Sequence, residues 1–155
     1  MTNTRMQVST SPVTRSQVDG VPAWVLVTPE TAPWAELPYG DELARRRARQ
    51  SGAGEVWATD LPNRHATRVV QLTLNPQASA FERLGAARRA LELLGDLNPR
   101  ELLVSVHGLP APGPVYEALA SAALARAVPL PTRKRPPPEP VRLARVRLCG
   151  PGAEI

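Results

Sequence analysis

Apolar and polar positions alternate most informatively between Thr67 and His107. Thr67, Val69, Val70, Leu72, Thr73 and Leu74 form a β-rich run that stops at Asn75-Pro76, where proline has no amide hydrogen to continue a ladder. Ser79-Ala80-Phe81-Glu82 then has the form of a capping box, so a helix is expected from Ser79 to Gly95. Phe81, Leu84, Ala87, Leu91 and Leu94 recur every three or four residues and define its apolar stripe, with Arg83, Arg88, Arg89 and Glu92 off it. Leu102 to Val106 is short and continuously apolar, as expected of a strand covered on both faces. Two strands joined by a helix of this length should run parallel.

The same reading extends outward. Met1 to Gly20 is rich in serine and threonine without either periodicity, and reads as a disordered tail. Val21 to Val27 reads as the first strand, and Glu30 to Pro38, with two prolines, as a loop. Asp41 resembles an N-cap, with Glu42 after it and Arg45, Arg46, Arg47 and Arg49 near the end. Such a distribution matches a helix dipole and favours a solvated face over a phosphate site. Glu55 to Ala58 is a short strand. A further helix carries Tyr116, Leu119, Ala120, Ala123, Leu124 and Ala127, and ends before Pro129. Arg133 to Pro140 reads as a stiff basic connector with polyproline character. The last strand, Val141 to Leu148, changes phase at Leu143-Ala144, which implies a bulge or a late start. Alternating strands and helices place the chain in the α/β class, as one three-layer domain over residues 21–150. Its sheet is mixed but mostly parallel and flanked by helices, and residues 151–155 form its end or the start of a linker.

Composition narrows the chemistry. A single cysteine, Cys149, excludes an internal disulfide and a cysteine-cluster zinc site, which fits a reducing compartment. No run approaches the ~18 apolar residues of a membrane span and none forms a signal-peptide core, so a cytoplasmic location without membrane partners is expected. The net charge of +5 is carried almost wholly by arginine, since Lys134 is the only lysine. Basic charge without a reader motif and with few stacking aromatics argues against nucleic acid as a partner.

Catalytic equipment is sparse. His65 and His107 have no partner at metal-ligand spacing, so no metal ligand and no catalytic residue is assigned. His107 could approach Cys149, but nothing local would activate the thiol. Gly52-Ala53-Gly54 does not follow a strand and open a helix, so the dinucleotide fingerprint fails. In an open α/β sheet a ligand would lie outside the carboxyl ends of the strands. Asn75, Gln77, His107, Gly108 and Gly113 are therefore the candidate ligand-loop residues, with no cofactor assigned.

Several strings in order resemble the amino-terminal domain of the leucyl (cytosol) aminopeptidases. They are Thr67-Arg68-Val69-Val70, then Ser79 to Leu84 with its alanine-rich helix, then Tyr116 to Ala127 running into Leu130-Pro131-Thr132-Arg133-Lys134-Arg135-Pro136. The likeness covers about half the chain. It implies a macro-domain-like fold, a cytoplasmic homo-oligomeric enzyme, and two divalent metals held in a separate catalytic domain. The family's metal-binding segment Asn-Thr-Asp-Ala-Glu-Gly-Arg-Leu is absent, so no metal or catalytic residue carries over. The expected role is a non-catalytic domain with a structural, assembly or regulatory function, partnered by an aminopeptidase catalytic domain in cis or in trans. A stand-alone macro-like module binding a nucleotide or ADP-ribose, and an arginine-rich nucleic-acid binder, are the alternatives.

Overall fold

The computed structural model describes residues 3–50, 52, 54–127 and 140–154. Its strands are β1 (Arg5–Ser9), β2 (Ala23–Thr28), β3 (Val56–Asp60), β4 (Arg68–Thr73), β5 (Glu101–Val106) and β6 (Arg145–Cys149). The helices are α1 (Arg15–Asp19), α2 (Gly40–Arg49), α3 (Ala80–Glu92) and α4 (Pro112–Ala127), with a 3-10 turn at Trp34–Glu36. The strands form one sheet in the order β1-β6-β5-β2-β4-β3. All neighbours are parallel except β3, which runs antiparallel to β4.

The central β4-α3-β5 unit forms as its pattern requires. Ser79 Oγ accepts from Glu82 N, and the Glu82 carboxylate accepts from Ser79 N, closing the capping box. β4 and β5 run in the same direction, but β2 lies between them and pairs with both. The apolar run Ala23–Thr28 is wholly buried because it occupies the centre of the sheet. One core layer joins alternate residues of β2, β4, β5 and β6 to α3 and α4, including Val25, Val70, Val104, Leu91 and Leu119. A second layer, with Trp24, Leu26, Leu43 and Leu103, lies on the opposite face.

Four expectations are corrected. The segment read as a disordered tail contains β1 and α1. β1 pairs with β6 in parallel from Arg5↔Arg145 to Ser9↔Cys149, and Thr14 and Gln17 form a second capping box. Its polar composition reflects an edge position, not disorder. Phe81 is not core: it lies in the first turn of α3 and is 86% exposed, while Ala86, Ala87, Ala90, Leu91 and Leu94 take the buried positions. Asp41 does not cap α2. The N-cap is Tyr39, in the left-handed region at φ 57°, and Asp41 sits in the first turn. Finally, the stretch read as a loop from Glu30 holds the 3-10 turn, against whose Trp34 carbonyl Gly40 packs. β6 starts late, at Arg145, as the phase change implied. The expected basic connector lies outside the described residues, apart from Pro140.

Candidate functional site

Five parallel strands end on one edge of the sheet, and the candidate residues fall there. Asn75 and Gln77 follow β4, His107 and Gly108 follow β5, and Gly113 lies in the first turn of α4. Because β2 separates β4 from β5, these two groups flank the loop that leaves β2 at Pro29. Of these residues, Asn75 lines a cleft on the β4 side.

The β5 side is filled by the protein's own residues. Gly108 adopts φ +74°, and a Cβ there would lie 3.1 Å from Pro29 Cδ and 3.6 Å from Pro33 Cδ. The β2 loop thus rests on the glycine. Tyr116 of α4 closes the space from below: its hydroxyl accepts from Val106 N at 3.1 Å and donates to the Cys149 carbonyl at 2.6 Å. Gly150 is at φ +127° with that hydroxyl 2.7 Å from a Cβ position, so only glycine fits. The amino end of α4 is likewise a poor anion cradle. Pro112 and Pro114 lack amide hydrogens, so two of the first three residues cannot donate to a phosphate.

His107 is held by the sheet. Its ring Nε2 lies 2.8 Å from Ser105 Oγ, and Trp24 Nε1 donates to the same oxygen at 2.8 Å. Burial pushes the imidazole pKa down to about 4, so the ring is neutral at pH 7 and its tautomer sets the direction of the bond with Ser105. Ser105 is fully buried, which rules it out as a nucleophile open to substrate. His107 and Cys149 do not pair: Cys149 Sγ accepts from Gln17 Nε2 at 3.8 Å, and burial raises the thiol pKa. A second buried chain runs from Trp57 Nε1 to Gln71 Oε1 at 2.5 Å and from Gln71 Nε2 to Thr28 Oγ1 at 3.0 Å. Both chains satisfy polar atoms inside the layer that underlies this edge.

On the β4 side the structure opens a cleft of about 470 Å³, lined by Glu30, Arg47, Glu55, Thr73, Asn75 and Pro76 among others. Asn75 turns its carbonyl oxygen to Gln77 N at 2.8 Å, a local turn that leaves both residues exposed. Arg47 brings a guanidinium to this corner. One of its nitrogens donates to Gly54 O at 3.2 Å, and Nη1 is buried without a partner. Glu55 is engaged by Arg89 at 3.0 Å. Glu30 and Glu55 thus share the corner with Arg47, and Arg89 compensates the charge of Glu55. Sequence reasoning missed Glu30, Arg47, Glu55 and Thr73 here, because the antiparallel pairing of β3 with β4, which brings Glu55 to Thr73, has no local signature. Two other arginines of α2 are also committed: Arg45 and Arg46 pair with Glu42 at 2.6 and 2.7 Å, and Arg46 also donates to Thr59 Oγ1. Among the described residues, no three His, Cys, Asp or Glu side chains are grouped so that they could hold a metal ion. No described helix is long and apolar enough to cross a membrane.

The mixed six-stranded sheet with helices on its faces is an α/β fold of the macrodomain type. No protein-family model matches the chain, and no curated protein matches its sequence. Its fold is similar to that of a tomato leucine aminopeptidase variant, with a TM-score of 0.64 at 11% identity over 98% of this chain and 34% of that one. A Trypanosoma brucei macrodomain in complex with ADP matches with the same TM-score, at 14% identity over 94% of this chain and 63% of that one. The macrodomain of Thermus aquaticus DarG is covered in full, with a TM-score of 0.52 at 12% identity. The chain therefore spans about a third of the aminopeptidase and just under two thirds of the trypanosomal protein.

Proposed function

We propose that this chain is a non-catalytic domain of the leucyl-aminopeptidase type, acting through packing, assembly or control of access for a catalytic domain in cis or in trans. The observation that carries the reading is the closed β5 side of the carboxyl edge. Pro29 and Pro33 lie on Gly108, Tyr116 bridges Val106 and Cys149, and two prolines occupy the first turn of α4. A ligand-binding domain of this fold class keeps such a crevice open. The sequence likeness that starts at Thr67 and the coverage of this chain by the tomato aminopeptidase support the same reading.

Two measurements test it together. The full chain supplied with manganese or zinc should not hydrolyse leucine amide, and it should co-elute with a separately produced leucyl-aminopeptidase catalytic domain. Turnover that persists through repurification, or separate elution at micromolar concentrations, would overturn the reading.

A second reading, a nucleotide or ADP-ribose module, is favoured by the ADP-bound trypanosomal neighbour and by the unpartnered Arg47 nitrogen in the β4 cleft. Titration calorimetry with ADP and ADP-ribose separates the two. Saturable heat that Arg47→Ala abolishes would establish the second reading, and no heat at millimolar ligand would remove it.

A further inference from the structure

Charge concentrates at the opposite edge of the sheet, where the parallel strands begin. Arg5 of β1 and Glu101 of β5 are both register partners of Arg145 on β6, so the three side chains share one face across three strands. Arg147, two residues along β6, lies on that face as well. The alternate residues Met6, Val146, Leu148 and Leu102 belong to the core beneath α3 and α4. Towards the carboxyl ends the charged face is covered, since Gln17 of α1 reaches Cys149. At the amino ends it opens into a cleft of about 470 Å³ lined by Asn3, Arg5, Arg100, Glu101, Ala144 and Arg145.

The charges there do not balance. Glu101 pairs with Arg145 at 3.1 Å, which leaves Arg5 and Arg100 exposed and without a side-chain partner among the described residues. Arg147 Nε is buried without a hydrogen-bond partner. Beside this cleft runs the outer edge of β1. Arg5 N donates to Ala144 O and Ser9 O accepts from Gly150 N, both at 2.9 Å, so the odd residues of β1 bond inward to β6. The main-chain groups of Met6 and Val8 therefore point outward, and Val8 is 49% exposed.

We infer that this corner is a docking surface for an acidic segment of a partner protein, laid in extended form along the free edge of β1. Its backbone pairs with Met6 and Val8, and its carboxylates meet Arg5 and Arg100. A protein segment fits better than nucleic acid. Among the described residues the charged face offers Gln7 and Ser9 beside its arginines and no exposed aromatic ring on which a base could stack, and Glu101 interrupts the positive stripe.

Fluorescence anisotropy with a labelled oligo-glutamate peptide tests this, with oligo-glutamine and a single-stranded oligonucleotide of matched charge as comparison probes. Oligo-glutamate should bind in a salt-sensitive way. Arg5→Glu with Arg100→Glu should weaken it at least about tenfold, while the equal charge change Arg64→Glu with Arg88→Glu should alter it less than about twofold. Should the reversed pair fail to fold by circular dichroism, Arg5→Gln with Arg100→Gln supplies the same comparison. Equal losses in both pairs, tighter binding of the oligonucleotide, no binding of oligo-glutamate, or self-association through this edge in sedimentation would each overturn the inference.

Discussion

Gly40 shows how much one atom decides. A Cβ at this position would lie 1.7 Å from the Trp34 carbonyl oxygen, a backbone atom that cannot swing aside. Gly40→Ala should therefore cost about 3 kcal/mol in urea unfolding, at the upper end of overpacking effects. His107 sets a different dependence. Folded, it stays unprotonated until the pH nears 4; unfolded, it takes a proton near ~6.5. Between these values the unfolded chain binds more protons, so stability is full above pH ~6.5 and falls as the pH drops towards 4. Discounted for the ring's partial exposure, the loss by pH 5 should be about 1 kcal/mol, and His107→Gln should flatten urea midpoints between pH 7 and 5. Asp19 and Glu82, held below the usual carboxylate range by hydrogen bonds from Tyr39 and from Ser79, lose their contribution only at lower pH. Neither Gly40 nor the buried setting of His107 can be read from neighbouring residues, since each depends on a segment brought in by the fold.

Among the elements, legibility follows local periodicity. The capping box at Ser79, the strand at Glu101 and the break at the start of β6 were written in their own residues, because each shows in local spacing, a continuous apolar run or a change of phase. Ser79→Ala should cost about 1 kcal/mol in urea unfolding by orphaning the Glu82 amide. β1 was not legible: Arg5, Gln7 and Ser9 look like tail residues until β6 arrives beside them. Phe81 misled in the other direction, since apolar spacing cannot reveal that the first turn of a helix projects past the sheet. The insertion of β2 between β4 and β5 was equally hidden, because strand order is a property of all six strands together.

Across the whole molecule, the fold class was legible and the candidate site only in part. Asn75 does line the β4 cleft, whereas Gly108 serves the closure of the β5 side. The sheet also makes a sharp demand on the first residues of the chain. If β1 is integral, deleting residues 1–12 should lower the melting temperature by about 5 °C or more, as for a loss of ~2 kcal/mol in a domain of this size; a tail would leave it unchanged. Differential scanning fluorimetry of the shortened chain decides between them. The β1-β6 pairing also orders events during synthesis. β1 leaves the ribosome before the other described strands, yet its strand partner among the described residues is translated more than 130 residues later, Arg5 waiting for Arg145. The nascent chain must therefore carry β1 without that partner until β6 emerges, and until then a chaperone has a strand edge to hold.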